Sequence, residues 1–214
     1  MTIKLIDKAF FKLINISLNK MYKSNVEKFG FNPMGLHWSS KSSQRSRFQI
    51  IYNLMKKHIF CKEIKIADIG CGFGDFFEFL EEKKDLNYFY KGYDINPLMI
   101  SYCKKKFNSK LFELSDEPKE ICDYSIISGT YNYAIYDDID LWERYLIFNL
   151  KKCLKKSSKG IIFNLQISSK SKIVNNIYYA GYDSIGKILN SNFNIKVSHI
   201  DKITPNDVYY VLLN

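Results

Sequence analysis

The stretch Ile64–Leu80, IKIADIGCGFGDFFEFL, decides how the rest of the chain is read. Ile64, Ile66 and Ile69 mark an alternating apolar segment that carries an acid, Asp68, near its end. The chain then breaks into Gly70-Cys71-Gly72-Phe73-Gly74 and resumes with helix-period apolar residues at Phe76, Phe77 and Leu80. That order is strand, glycine turn, helix. Glycines let the backbone turn tightly and approach a ligand with no Cβ in between, and the first N–H groups of the following helix have no partner within it. The expected product is a cradle for a nucleotide-like ligand.

Downstream, a second strand, Tyr88 to Tyr93, ends in Asp94 and is followed by Ile95-Asn96-Pro97 and a helix. Asp94 follows the turn by about 20 residues, the spacing at which an acid at the end of the next parallel strand accepts from both ribose hydroxyls. It is equally placed to cap the helix, and the two roles are compatible. A short third strand, Lys110 to Leu114, leads to Asp116, which is positioned either to accept from an adenine amino group or to serve as a turn residue. A fourth strand, Tyr124 to Ile127, opens onto Ser128-Gly129-Thr130-Tyr131-Asn132-Tyr133. A helix over Ile139–Leu154, an apolar fifth strand over Gly160–Ile167, a polar loop and a helix near Ser184–Leu189 follow. Two last strands, Ile195–Ile200 and Val208–Leu213, are joined closely enough to be antiparallel.

Upstream, the first 20 residues read as an amphipathic helix with Ile6, Phe10, Leu13 and Ile14 on the packed side. Lys4, Asp7, Lys8 and Lys12 interrupt it, so neither a membrane span nor a signal peptide is expected. After a break at Gly30–Gly35, the segment LHWSSKSSQRSRF starts another helix, with Ser42 or Ser43 as its cap. That helix runs into the first strand, so Trp38, Gln44 and Arg47 fall within reach of the cleft. The plainer alternatives are core packing for Trp38 and a surface ion pair for Arg47. Residues 1–60 are therefore expected to pack on or cap a domain formed by residues 61–214, with lipid-surface binding of the first helix as the remaining alternative.

The alternation from Ile64 onward predicts an α/β fold. It is Rossmann-like and doubly wound, with a seven-stranded, mostly parallel sheet and an antiparallel last strand, preceded by N-terminal helices. With Asp68, Asp94, Asp116 and Ser128 at one rim, the chain resembles the class I S-adenosylmethionine-dependent methyltransferases over about Ile64 to Asn214. The family's first motif appears as Asp68-Ile69-Gly70-Cys71-Gly72-Phe73-Gly74, its ribose acid as Asp94, its adenine acid as Asp116 and its fourth-strand motif as Ser128-Gly129-Thr130. WSSKSSQRSRF, DIGCGFGDF, DINPLMI and SGTYN are similar to segments of a little-characterised bacterial group. The resemblance implies that Asp68, Gly70, Cys71, Gly72 and Gly74 hold the methionyl end of S-adenosylmethionine, Asp94 the ribose, and Ile95 and Asp116 the adenine, with Ser128 and Gly129 beside them.

For the methyl acceptor the candidates are His37, Tyr131 and Asn132, with a general base needed only where the acceptor carries a proton. The chain lacks the Asn/Asp-Pro-Pro-aromatic motif of nucleobase amino-methyltransferases, so a small-molecule acceptor is the first expectation. An RNA methyltransferase and a cofactor-binding module without turnover are the alternatives, and no DNA partner is expected.

Composition narrows the partners further. The 214 residues, 46% of them hydrophobic, suffice for one sizeable core, and a net charge of +10 invites a polyanion. Yet among 32 basic residues only Arg45, Arg47 and Arg144 are arginine. The dispersed lysines fit a solvated surface better than a phosphate reader. The five cysteines show neither a paired zinc spacing nor a disulfide framework, so no metal is expected. Reduced thiols in the cytoplasm fit best.

Overall fold

The computed structural model describes residues 5–58, 63–193 and 195–214, with the side chains of residues 5 and 195–198 outside that description. Cys61 and the expected boundary between residues 60 and 61 also lie outside the described residues.

Five strands run parallel in the order β3-β2-β1-β4-β5: β1 (Ile64–Ile69), β2 (Tyr88–Asp94), β3 (Phe112–Leu114), β4 (Cys122–Ile127) and β5 (Ser157–Ser168). Strand β9 (Asp207–Leu213) lies antiparallel on β5, from Gly160 opposite Leu213 to Gln166 opposite Asp207, and β8 (Ile195–Ile200) lies antiparallel on β9. These seven strands are the expected sheet. The unbroken burial of Gly160 to Leu165 explains their apolar run, because β5 is covered on both faces.

Two more strands bring the described sheet to nine. They are β6 (Lys172–Val174) and β7 (Ile177–Gly181), a hairpin whose β7 continues alongside Ile167 and Ser168 of β5. Asn175 and Asn176 turn it at φ 51 and 63, the left-handed conformation that a two-residue hairpin turn demands and that asparagine tolerates. The segment expected as a polar loop thus runs into a hairpin, and its backbone docks on the loop after β4, where Tyr178 N–H donates to Asn132 O at 2.8 Å.

Helices cover both faces. On one side α1 (Leu5–Phe29), α5 (Ile139–Leu154) and α6 (Tyr182–Asn192) share a core containing Ile14, Leu18, Leu146, Leu150, Ile185 and Leu189. On the other, α2 (Lys41–His58), α3 (Asp75–Glu81) and α4 (Pro97–Lys106) pack through Phe48, Ile51, Phe76, Phe79, Ile100 and Cys103. Each such apolar side chain contributes about 1.5–3 kcal/mol when fully buried. Three local expectations are corrected. The cap at the start of α2 is Ser40, whose Oγ accepts from Ser43 N–H at 3.0 Å, and the cap of α4 is Asn96, whose Oδ1 accepts from Leu98 N–H at 2.9 Å. The third strand begins at Phe112, Ser109–Leu111 forming a 3-10 turn before it.

The packed side of α1 is also turned from the expected one. Phe11, Ile14, Leu18 and Val26 are buried, whereas Ile6, Phe10 and Leu13 face outward. Two polar contacts fix this rotation: Tyr145 Oη donates to Asn15 Oδ1 at 2.5 Å, and the inward Asp7 pairs with Arg144 at 3.3 Å.

Candidate functional site

Strand order reverses at β1, with β2 and β3 on one side and β4 and β5 on the other, and a crevice opens beyond the carboxyl ends of β1 and β4. The glycine turn forms one wall. Gly70 sits at φ +75, and a Cβ there would lie 2.5 Å from Thr130 Oγ1, so any side chain would drive the turn into the loop after β4. Gly70 N–H and Cys71 N–H both donate to Tyr93 O, at 2.7 and 3.0 Å, which binds the turn to the end of β2.

Asp94 closes that end. Its Oδ2 accepts from Gly72 N–H at 3.0 Å and its Oδ1 from Asn96 N–H at 2.8 Å. Burial raises its pKa to about 6 against the pull of the Asn96, Gly72 and Ile95 backbone donors. Each carboxylate oxygen keeps a further lone pair, so the group remains able to accept from a vicinal diol.

Around Asp94 lies a cavity of about 100 Å³. Gly70, Gly72, Ile95, Asp116, Ser128 and Gly129 line it, as does Tyr131. Trp38 lies over Gly129, where a Cβ would meet the indole at 2.8 Å and where φ is +72. Leu18 and Tyr22 of α1 and Leu36 of the following 3-10 turn complete the cover.

Several sequence candidates sit elsewhere. Asp68 lies beneath the turn, accepting from Tyr90 Oη at 2.7 Å, and Cys71 and Gly74 do not line the cavity. Gln44 Nε2 donates to Asp75 Oδ2 at 2.9 Å. Arg47 reaches Asp207 at 2.6 Å, with its guanidinium 5.2 Å from the centre of the Trp38 ring. Asn132 is a structural amide, its Oδ1 accepting from Gln166 N–H at 3.0 Å. His37 stacks on Tyr133 with ring centres 4.3 Å apart, its Nε2 lies 2.8 Å from Met21 Sδ, and burial lowers its pKa. Of the three acceptor-side candidates only Tyr131 reaches the cavity wall, and burial pushes its hydroxyl well above the usual tyrosine range.

The structure adds Asn149, which the sequence reading did not single out. It is buried on α5 in the cavity wall, its Nδ2 donates to Tyr145 O at 2.9 Å, and its Oδ1 is buried without a partner. Ser128 Oγ is likewise buried, unpartnered and in the wall. Unsatisfied buried polar atoms cost about 1–3 kcal/mol each. Both residues belong to the wall of one cavity. By contrast Asp116 is drawn to Lys152, 2.6 Å away. The one sequence sign of Asn149 was an amide within the otherwise apolar stripe of α5.

Burial raises the pKa of Asp68 to about 7, the Tyr90 hydrogen bond opposing and Asp94 and Asp75 adding to the rise. A folded pKa above the unfolded value gives stability that is complete below the unfolded pKa and lost as pH rises through about 7. From pH 6 to pH 8 the protein should therefore lose on the order of 1 kcal/mol. Asp68→Asn keeps an acceptor for Tyr90 and removes the ionisation. Its melting temperature at pH 8 should exceed that of the wild type by about 2–4 °C, with a flatter pH profile; thermal melts with wild-type slope in the variant would refute this.

Sheet order, glycine turn and acid at the end of β2 together define the fold of the class I S-adenosylmethionine-dependent methyltransferases. Solved structures of that class superpose on most of the chain. A methyltransferase from Leishmania major matches with TM-score 0.65 at 13% identity, covering 91% of this chain and 83% of that one. Magnesium protoporphyrin IX methyltransferase from Synechocystis, with S-adenosylmethionine bound, matches with TM-score 0.60 at 12% identity over 100% of both chains. A glycopeptide N-methyltransferase, also in complex with S-adenosylmethionine, matches with TM-score 0.53 at 9% identity, covering 78% of this chain and 93% of that one. No protein-family model matches the sequence, and no curated protein does.

Proposed function

We propose that this protein transfers a methyl group from S-adenosylmethionine to a small-molecule acceptor. The observation that carries the reading is the charge of the cavity: among the described residues Asp94 lines it without a basic partner, Asp116 lines it with its charge met by Lys152 from outside, and no lysine or arginine is in the wall, in a chain with 32 basic residues. A sulfonium is stabilised beside carboxylates and repelled by ammonium groups, whereas a phosphate-bearing acceptor draws basic residues to the mouth.

S-adenosylmethionine, when bound, would supply an electrophilic methyl for displacement by the acceptor's lone pair, the carbon–sulfur pair going to sulfur. Asp94 would hold the ribose diol, the unpartnered Asn149 Oδ1 would accept from the adenine amino group, Ser128 Oγ would take a further polar contact, and the Gly70–Gly72 backbone would let the methionyl arm lie close. Leu18, Tyr22, Leu36 and Trp38 exclude water. Tyr131, neutral at ordinary pH, orients an acceptor by donating or accepting a hydrogen bond. The four described cysteines, Cys71, Cys103, Cys122 and Cys153, are free thiols, which supports a reducing, cytoplasmic setting.

Calorimetry with S-adenosylhomocysteine and with S-inosylhomocysteine, in which a carbonyl replaces the adenine amine, tests the donor half. The first should bind and the second should bind at least about tenfold more weakly, because a carbonyl would face the Asn149 acceptor. Equal affinities would remove Asn149 from the reading, and no binding of either would remove the donor. Radiolabelled methyl transfer into a metabolite extract and into total RNA tests the acceptor half. Label should enter the small-molecule fraction. Ribonuclease-sensitive label would make the acceptor RNA, and donor binding with no label in either fraction would make the chain a binding module.

A further inference from the structure

Helix α1 carries apolar residues on two opposite sides. The inner side, Phe11, Ile14 and Leu18, belongs to the core shared with α5, and Leu18 and Tyr22 reach the cavity. The outer side presents Ile6, Phe10, Leu13 and Ile16 at 61, 44, 50 and 52% exposure. Their spacing of four, three and three residues keeps them along one outward strip, about 15 Å long at the helical rise. Isolated exposed apolar residues are ordinary, but four aligned on one helix are not.

Charge says what covers the strip. Lys8, Lys12, Lys20 and Lys23 are exposed on the same helix, and its acid in that span, Asp7, is buried against Arg144 at 3.3 Å. From Ile6 to Lys20 the outward surface of α1 is therefore apolar and cationic; the exposed acid of the helix, Glu27, lies beyond it and pairs with Lys23 at 3.9 Å. Beside it, Tyr136 meets Ser17 Oγ at 3.1 Å and is followed by the exposed Asp137, Asp138 and Asp140, of which Asp138 caps α5 through Leu141 N–H at 2.9 Å. A second copy docked strip to strip would bring the lysines of one helix against those of the other, a like-charge contact that is unfavourable. No described helix is long and apolar enough to cross a membrane. An apolar strip flanked on its own helix by Lys8, Lys12 and Lys20 matches a helix lying in the plane of an anionic lipid surface, apolar side chains at the headgroup–acyl boundary and ammonium groups among the phosphates.

We infer that the outer face of α1 binds an anionic bilayer surface, setting the protein on the membrane with the cavity on the opposite side of the same helix. This stands apart from the methyl-transfer reading, since vesicle binding is measured with no donor or acceptor present.

The test is co-sedimentation of the full chain with vesicles of equal parts phosphatidylglycerol and phosphatidylcholine, against pure phosphatidylcholine. Binding to the anionic vesicles should be at least about tenfold stronger and should fall with added salt. Phe10→Ser combined with Leu13→Ser should lower it by about tenfold, because the strip loses its two central apolar side chains. S-adenosylhomocysteine affinity should stay the same, because both residues point away from the cavity. Absence of the wild type from the vesicle pellet, equal binding to the two vesicle types, or equal binding by the variant would overturn the inference. So would a wild-type dimer in sedimentation velocity that the double substitution turns into a monomer, which would assign the strip to a second copy.

Discussion

Replacing Asp94 by alanine is expected to weaken S-adenosylhomocysteine binding by about a hundredfold or more, since two hydrogen bonds from the ribose to a charged acceptor are lost, at roughly 1.5–3 kcal/mol each. The substitution also strips Gly72 N–H and Asn96 N–H of their acceptor, which loosens the turn that faces the ligand. Asp94→Asn keeps one oxygen but places an amide NH₂ against a backbone donor, so an intermediate loss of about tenfold is expected. The pH dependence has a definite sign. With a pKa near 6, the Asp94 carboxyl gains its proton as pH falls, and a protonated oxygen no longer accepts. Affinity should be level above pH 7 and weaken below pH 6 in the wild type, and this step should vanish in Asp94→Ala. Calorimetry across that range decides it: an alanine variant that binds within threefold of wild type would disqualify Asp94 as the ribose acid.

Arg47→Ala should destabilise the fold by about 3–5 kcal/mol, because it leaves the Asp207 carboxylate buried without its counter-charge. Asp207 is fully buried, and burial already raises its pKa against the Arg47 ion pair. At roughly 2–4 °C per kcal/mol for a domain of this size, the melting temperature should drop by about 10 °C. The ion pair continues inward, Asn164 Nδ2 donating to Asp207 Oδ1 at 3.0 Å and Asn164 Oδ1 accepting from Gly129 N–H at 2.9 Å. The loss should therefore be felt at the cavity wall as well. Combining Arg47→Met with Asp207→Asn removes both charges while keeping an acceptor for Asn164, and most of the lost stability should return. If the double variant melts no higher than Arg47→Ala, the unpaired carboxylate is not the cause.

What the sequence disclosed followed from local rules with few alternatives. Three glycines between an apolar strand and an apolar helix, an acid one strand later, and a short link between the last two strands were enough for a mostly parallel sheet with an antiparallel last strand and for Asp94 at the end of β2. The misplaced details are those set by distant partners. The rotation of α1 depends on Asn15 meeting Tyr145 and Asp7 meeting Arg144, residues more than a hundred positions away. Arg47 lies near the cleft in sequence, yet its charge is claimed by Asp207 at the far end of the chain. Asn149 is an amide on an apolar helix face, and only the folded cavity shows that its oxygen has no partner. The β6–β7 hairpin had a local sign, the Asn175-Asn176 pair, outweighed by the polar residues before it.

The cover over the cavity has a kinetic consequence. Leu36 packs over Gly72 and Trp38 over Gly129, so the Asn32–Trp38 segment lies across the wall a ligand must reach. Entry that displaces this segment breaks the hold of Asn25 Nδ2 on Met34 O at 2.8 Å and Gly35 O at 2.9 Å. Binding is then two events in series, opening and capture. The observed association rate should level off at high ligand concentration, where the plateau measures how often the segment lifts, and the apparent affinity is reduced by the fraction of molecules found closed.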